Sequence, residues 1–253
     1  MTQRVLITAG AGGIGLAIAK AFVAQGARVH IADVNADAVR EITSKEKNIS
    51  GSVTDVSKVE DLDVLFKDIR EQLGGLDVLI NNAGIAGATA PVEDYPAETW
   101  DAVVNINLTG TFLVTQRAIP LLKASKAGSI VVMSSLAGRF GYPNRVAYST
   151  TKWGLVGFTK TLSLELGEFG ITANSIHPGA VEGPRLQGVF EGRAKVSGRS
   201  ADQEKQLAME NQAIKRFVDP ADIAALALFL TGPHGRSISG QIFPIDGDSK
   251  AAS

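Results

Sequence analysis

Cysteine is absent from this chain of 253 residues. That single absence removes disulfides, thiolate nucleophiles and zinc–thiolate sites, and leaves the compartment open because a cytosolic protein needs no disulfide. An excess of charge of one sign is missing as well. Lys and Arg number 25 against 26 Asp and Glu, so no global field draws the chain to nucleic acid or to an anionic membrane. No apolar run reaches the roughly 18 residues that span a bilayer. A basic n-region with an apolar leader is not seen either, since strand-like sequence begins at Arg4 or Val5. His30, His177 and His234 show no ligand spacing, so no metal is expected. These exclusions lead to the expectation of a soluble, cytoplasmic protein with no nucleic-acid or membrane partner.

What is present is an alternation of short apolar runs and helix-length amphipathic segments. The runs lie at 4–8, 28–32, 49–53, 77–81, 129–134, 171–176 and 241–245, and helical periods at 13–25, 36–46, 57–73, 97–124, 146–167 and 219–230. Near-continuous Val/Ile strands suit a parallel sheet buried on both faces by crossover helices. The fold expected is therefore α/β: one Rossmann-type, doubly wound domain over residues 1–253, with a seven-stranded parallel sheet flanked by helices on both faces. Residues 183–215 form a long excursion before the last helix and strand, and long insertions in compact domains tend to act as lids over a substrate.

The stretch Thr8-Ala9-Gly10-Ala11-Gly12-Gly13-Ile14-Gly15 follows the first strand and opens the first helix. Gly10, Gly12 and Gly15 satisfy the general GxGxxG fingerprint, while Thr8 with Gly13, Ile14 and Gly15 fits TGxxxGIG with Ala9 in place of its first glycine. Under either register a pyrophosphate lies against backbone amides at the positive end of the helix, where a Cβ would hold it off. Asp33 ends the second strand run 18 residues after Gly15, near the spacing of about 20 at which a carboxylate bonds the adenosine ribose. The residues that follow it, beginning with Val34, bring no Arg or Lys to neutralise a 2′-phosphate, so NAD is expected rather than NADP. Helix N-capping is the other role open to Asp33.

Tyr148 and Lys152 are four residues apart at the start of a helical pattern whose apolar stripe runs through Leu155, Phe158, Leu162 and Leu166. That spacing puts phenol and ammonium on one helix face. A free phenol, with a pKa near 10, is a poor base at neutral pH. Bringing it toward ~7 takes about 4 kcal/mol, and a neighbouring cation is a direct source.

With these pieces in order, the chain resembles the short-chain dehydrogenase/reductases. That family carries TGxxxGIG, NNAG, an Asn in the next long helix, a Ser after the fifth strand, YxxxK and a PG turn. Here they stand as TAGAGGIG, NNAG at 81–84, Asn107, Ser135, Tyr148 with Lys152, and HPGAV at 177–181, across essentially the whole chain. The resemblance implies that Tyr148 is the general acid/base and that Lys152 lowers its pKa and binds the nicotinamide ribose. It also implies that Ser135 (Ser134 being the competing choice) bonds the reacting oxygen, and that Asn107 holds a bend in its helix and a proton-relay water. Asp55 and Val56 look like the adenine contacts, Asn82, Ala83 and Gly84 like the segment supporting the ribose, and Pro178, Gly179 and Val181 like the nicotinamide side. The implied activity is hydride transfer between NAD(H) and a secondary alcohol or carbonyl compound, such as a sugar, sugar acid or hydroxy acid.

Two departures stand out. Ala9 replaces the family's first glycine, which suggests that the permissive residue has moved to Gly10. Gly183 stands where a Thr often grips the nicotinamide carboxamide, leaving that clamp open, with the backbone at Val181 as a substitute. Arg139, Arg145, Arg185, Arg193, Lys195 and Arg199 fall in the two loops that the family folds around its substrate, which suits an anion or else a solvated loop surface. A homotetramer is implied through helices 97–124 and 146–167, with Leu162 and Leu166 near the interface. Two rival readings are a non-catalytic nucleotide-binding scaffold or sensor on the same fold and an extended epimerase or dehydratase, whose class needs a longer chain.

Overall fold

The computed structural model describes residues 2–125 and 127–251. Seven strands, β1 (Arg4–Thr8), β2 (Arg28–Asp33), β3 (Ile49–Val53), β4 (Val78–Asn81), β5 (Ser129–Met133), β6 (Thr172–Pro178) and β7 (Ile242–Ile245), form one sheet in the order β3-β2-β1-β4-β5-β6-β7. Every pairing is parallel. Strand order reverses between β1 and β4, and the crevice beyond the strand C-termini at such a switch point is where α/β sheets bind ligands.

The period of two along each strand splits the apolar residues into two cores. Val5, Ile7, Val29, Ile31, Val78 and Ile80 pack on one face with Ile18 and Phe22 of helix α1 (Gly13–Ala24). Leu6, Leu79, Ile130 and Val132 pack on the other with α3 (Val59–Leu73) and the helices that follow β4 and β5. Helix α2 (Ala36–Lys45) is capped by Asn35, whose side chain accepts from the Ala38 amide. That leaves Asp33 free of the capping role.

The long helix expected over 97–124 is divided. Helix α4 (Ala97–Val104) passes into a π-helical stretch, Asn105–Gly110, and then into α5 (Thr111–Lys123). The Thr111 hydroxyl donates to the Asn107 carbonyl at 2.8 Å inside that widened turn. Helix α6 (Val146–Leu166) carries Tyr148 and Lys152. Its stripe of Leu155, Leu162 and Leu166 belongs to the core, with Leu162 only 5% and Leu166 3% exposed. Leu162 and Leu166 are thus core residues, their side chains packed on the face of the sheet. Leu164, 85% exposed, is the leucine of this helix that points out.

Residues 183–215 are not an open loop. They fold into α7 (Pro184–Ser197) and α8 (Ala201–Glu210), and α9 (Pro220–Thr231) follows. Phe190 of α7, Ala208 of α8 and Phe217 form a separate small core, with the Phe190 and Phe217 ring centroids 5.9 Å apart. Gly183 at φ +140 followed by Pro184 sets the start of α7, and Ser200 with Gln203 forms a reciprocal capping box at α8. Among the described residues no helix is long and apolar enough to cross a membrane.

Candidate active site

A cavity of about 500 Å³ runs along the C-terminal edge of the sheet, from the turn after β1 to α7 and α8. Its first wall is the glycine turn. The left-handed residue there is Ala9 itself, at φ +49, together with Gly13 at φ +47. The permissive position has therefore not moved to Gly10, and alanine simply tolerates a conformation that costs an L-residue about 1 kcal/mol. Gly10 is needed for another reason: a Cβ there would lie 2.7 Å from Ile31 Cγ2. At Gly15 a Cβ would lie 2.1 Å from the Ala9 carbonyl oxygen. Cβ atoms at Gly12 and Gly13 would meet nothing within 4 Å, and both residues line the cavity with Ile14. Helix α1 starts without a side-chain cap, so its orphan amides face an open cradle, as a pyrophosphate requires.

Strand ends hold that cradle. Thr8 Oγ1 accepts from the amides of Asn82 and Ala83, both at 2.9 Å, and Asn82 Nδ2 donates to the Thr8 and Ala9 carbonyls at 3.1 Å. Asp33 accepts from the amides of Ala11 and Asn35 at 3.0 Å and borders the cavity. The glycine turn and this carboxylate fit a dinucleotide.

Catalytic candidates converge from β5 and α6. Lys152, 4% exposed, donates from Nζ to the Met133 carbonyl at 2.8 Å and lies 5.6 Å from the centroid of the Tyr148 ring. Burial alone would raise the Tyr148 phenol. The charges of Lys152 and Arg185, a hydrogen bond from Ser135 and the charge of Arg145 outweigh it and leave the phenol below its ordinary 10.0. Lys152 is itself lowered, chiefly by burial and against the pull of Tyr148. Ser134 Oγ donates to the Lys152 carbonyl at 2.9 Å and is thereby tied to the backbone of α6. Ser135 is the serine left facing the phenol.

Other expected residues stand behind this wall. Asn107, fully buried, accepts from the Ile85 amide at 2.8 Å and donates to the Ile85 carbonyl and to Thr151 Oγ1. Its side-chain amide is fully engaged and ties the segment after β4 to α6. Gly84 sits so close that a Cβ there would lie 3.2 Å from Asn107 Oδ1 and 3.5 Å from Lys152 Nζ. Gly84, Pro178, Gly179 and Val181 line the cavity, whereas Gly10, Gly15, Val34, Asp55, Val56 and Ala83 do not. Val34 is 67% exposed, Asp55 Oδ1 accepts from Ser57, and Val56 packs against Gly110.

The loop cations divide. Arg139 pairs with Asp246 at 2.8 Å and Arg199 with Glu204 at 3.4 Å, while Arg145, Arg185 and Arg193 line the cavity. Lys195 lines an adjoining cleft. Sequence reasoning missed His177 and Tyr142. His177, pushed down to about 4 chiefly by burial, bonds the Ser135 carbonyl through Nδ1 at 2.9 Å and Ser175 through Nε2 at 2.9 Å. A neutral ring donating from Nδ1 fixes the peptide that carries Ser135. No short-range pattern marks either residue, since the Ser135 carbonyl that meets His177 and the Arg193 that meets Tyr142 lie 42 and 51 positions away.

Comparison with known proteins agrees with this arrangement. A family model described as enoyl-(acyl carrier protein) reductase matches residues 9–247. The D-beta-hydroxybutyrate dehydrogenase of Cupriavidus necator is 39% identical over 96% of this chain and 95% of its own. A crystal structure of NAD+-bound xylitol dehydrogenase superposes with a TM-score of 0.93 at 30% identity, over 97% of this chain and 98% of the other. An actinorhodin polyketide ketoreductase variant with NADPH gives 0.93 at 31% identity, over 97% and 96%. The chain belongs to the short-chain dehydrogenase/reductase family. It is an oxidoreductase that interconverts secondary alcohols and carbonyl compounds with a nicotinamide dinucleotide.

Proposed function

We propose that this protein is an NAD-dependent dehydrogenase in which Tyr148 is the general acid/base. The observation that carries the reading is the Tyr148 phenol, lowered by the charge of buried Lys152 and lining the same cavity as Ser135 and the glycine cradle. When bound, the nicotinamide ring supplies the hydride acceptor or donor. In the oxidative direction the phenolate oxygen takes the proton of the substrate hydroxyl, and Lys152 stabilises the phenolate by proximity. Ser135 donates to the reacting oxygen and steadies the charge that develops there. Asn107 and His177 position these groups through Ile85 and the Ser135 carbonyl.

NAD is favoured over NADP because Asp33 presents its carboxylate to the cavity and, among the described residues, takes part in no salt bridge. A 2′-phosphate there meets an unneutralised anion. Val34, Asp55 and Val56 are assigned to the adenine end, Asn82, Ala83 and Gly84 to the ribose, and Pro178, Gly179 and Val181 to the nicotinamide side. We assign the whole chain to one cytoplasmic catalytic domain, with 183–215 as its substrate cover. Exposed Phe112, Trp153 and Leu164 on α5 and α6 support a homotetramer, whose mass light scattering measures directly.

Tyr148→Phe keeps the ring and removes the transferable proton, so NADH formation from the true substrate falls by about 10²- to 10⁴-fold. Oxidation needs the deprotonated phenol, so wild-type kcat/KM rises with pH and levels off below 10.0. Lys152→Met moves that rise to higher pH. Full activity in Tyr148→Phe ends the assignment.

A further inference from the structure

We propose that the cavity takes a hydroxycarboxylic acid with a hydrocarbon spacer, its carboxylate gripped by Arg145, Arg185 and Arg193; this rests on the dehydrogenase reading above. Arg145 is 4% exposed and donates from Nη1 to Thr89 Oγ1 at 3.1 Å, but its Nε, like that of Arg193, is buried without a hydrogen-bond partner. A guanidinium withdrawn from water and left short of acceptors is costly unless an anion completes it. Tyr142 stands between the two, its ring 5.6 Å from the Arg145 guanidinium carbon and 5.3 Å from that of Arg193, and its hydroxyl accepts from Arg193. Arg145 also lies 5.5 Å from the Tyr148 ring, which puts the cationic end within a few bonds of the reacting hydroxyl.

No salt bridge offsets these charges among the described residues. The acids bordering the cavity are Asp33, at the nucleotide end, and Glu182, which is exposed and unpaired. The adjoining cleft of about 320 Å³ shares Arg145 and Arg185, adds Lys195 and has no acidic lining residue, so the approach to the site is positive too. Arginine's planar fork matches a carboxylate with two parallel bonds. The apolar part of the cavity lining includes Leu136, Leu186, Val189 and Phe190. That lining accommodates a short chain or a carbocycle, while Asn211, Ser249 and Gln212, whose Oε1 is buried without a hydrogen-bond partner, border the same cavity.

The test is steady-state NADH formation from 3-hydroxybutyrate and 4-hydroxycyclohexanecarboxylate, each beside its amide, with xylitol and glycerol 3-phosphate as polyol and phosphate controls. Wild type should favour an acid over its amide by about 100-fold in kcat/KM, and Arg193→Met should cut that ratio about 10- to 100-fold, mainly through KM. Arg145→Lys, which keeps the charge and loses the fork, should fall between the two. Arg199→Gln, in which the lost guanidinium had Glu204 as its partner, should match wild type. Amides used as well as acids, a preference for xylitol or the phosphate, or an unchanged ratio in Arg193→Met overturns the carboxylate site. If neutral alcohols are then oxidised in a Tyr148-dependent way, the dehydrogenase reading stands alone. If no alcohol yields NADH, both readings fall.

Discussion

The turn between β1 and α1 and the helical cover of α7 and α8 form opposite ends of one cavity by opposite means. At the turn, selection is steric and main-chain: Gly15 has 2.1 Å between an added Cβ and the Ala9 carbonyl oxygen, and Thr8 and Asn82 lash the strand ends together. At the cover, selection is by charge and side chain. Arg185 and Arg193 ride on a helix whose own core is three buried residues, Phe190, Ala208 and Phe217. The difference teaches that a cofactor common to a family is read by backbone packed too closely for a side chain at positions such as Gly10 and Gly15, whereas the substrate is read by side chains on an element that can be rebuilt. His177 belongs to the rigid end in kind, a buried neutral ring holding the Ser135 peptide.

Four substitutions test that contrast, from the strongest to the weakest. Phe190→Ala empties the centre of the small core and should cost about 3 kcal/mol. Because the loss falls on the cover, hydrogen exchange should quicken in α7 and α8 and KM for substrate should rise while NADH affinity holds; a matching loss of NADH affinity refutes the division. Gly15→Ala does the reverse. Its Cβ cannot fit against the Ala9 oxygen, so stability should drop by about 2 kcal/mol and NADH fluorescence titration should show weakened binding. Unaltered binding and melting would mean that the turn is not sterically selected. Asp33→Ala should lower the NAD over NADP preference in kcat/KM about tenfold, the worth of a charged hydrogen bond, and an unchanged preference removes Asp33 from selectivity. Ala9→Gly relieves a left-handed alanine and should stabilise the protein by only about 0.5 kcal/mol, since glycine's freedom in the unfolded chain offsets part of the gain. A lower melting temperature in calorimetry contradicts that account.

Legibility followed the same division. The seven Val/Ile runs and the helices between them were readable because their periods are local, with small shifts such as β6 running on to Pro178. Helices α7 and α8 were not read from the apolar pattern. Gly188 and Gly192 interrupt α7, and its buried Phe190 finds its partner in Phe217, far along the chain. The Gly183-Pro184 start and the Ser200/Gln203 capping box were usable signals for both helices. Leu162 and Leu166 fit an apolar stripe that the sheet covers within the chain. A stripe identifies a buried side and does not name what covers it.

Spacing alone placed Tyr148 and Lys152 on one helix face, the glycines between a strand and a helix, and Asp33 at a strand end, since each relation is carried by neighbouring residues. Of the two serines that could meet the phenol, Ser134 is drawn away from that choice by reaching the Lys152 carbonyl, 18 positions away. Which of six cations remain available was settled by Asp246 and Glu204 capturing two of them. Those choices depend on partners brought together only when the sheet closes and the cover packs, and a hydrogen bond or an ion pair is decided by that proximity rather than by the order of residues.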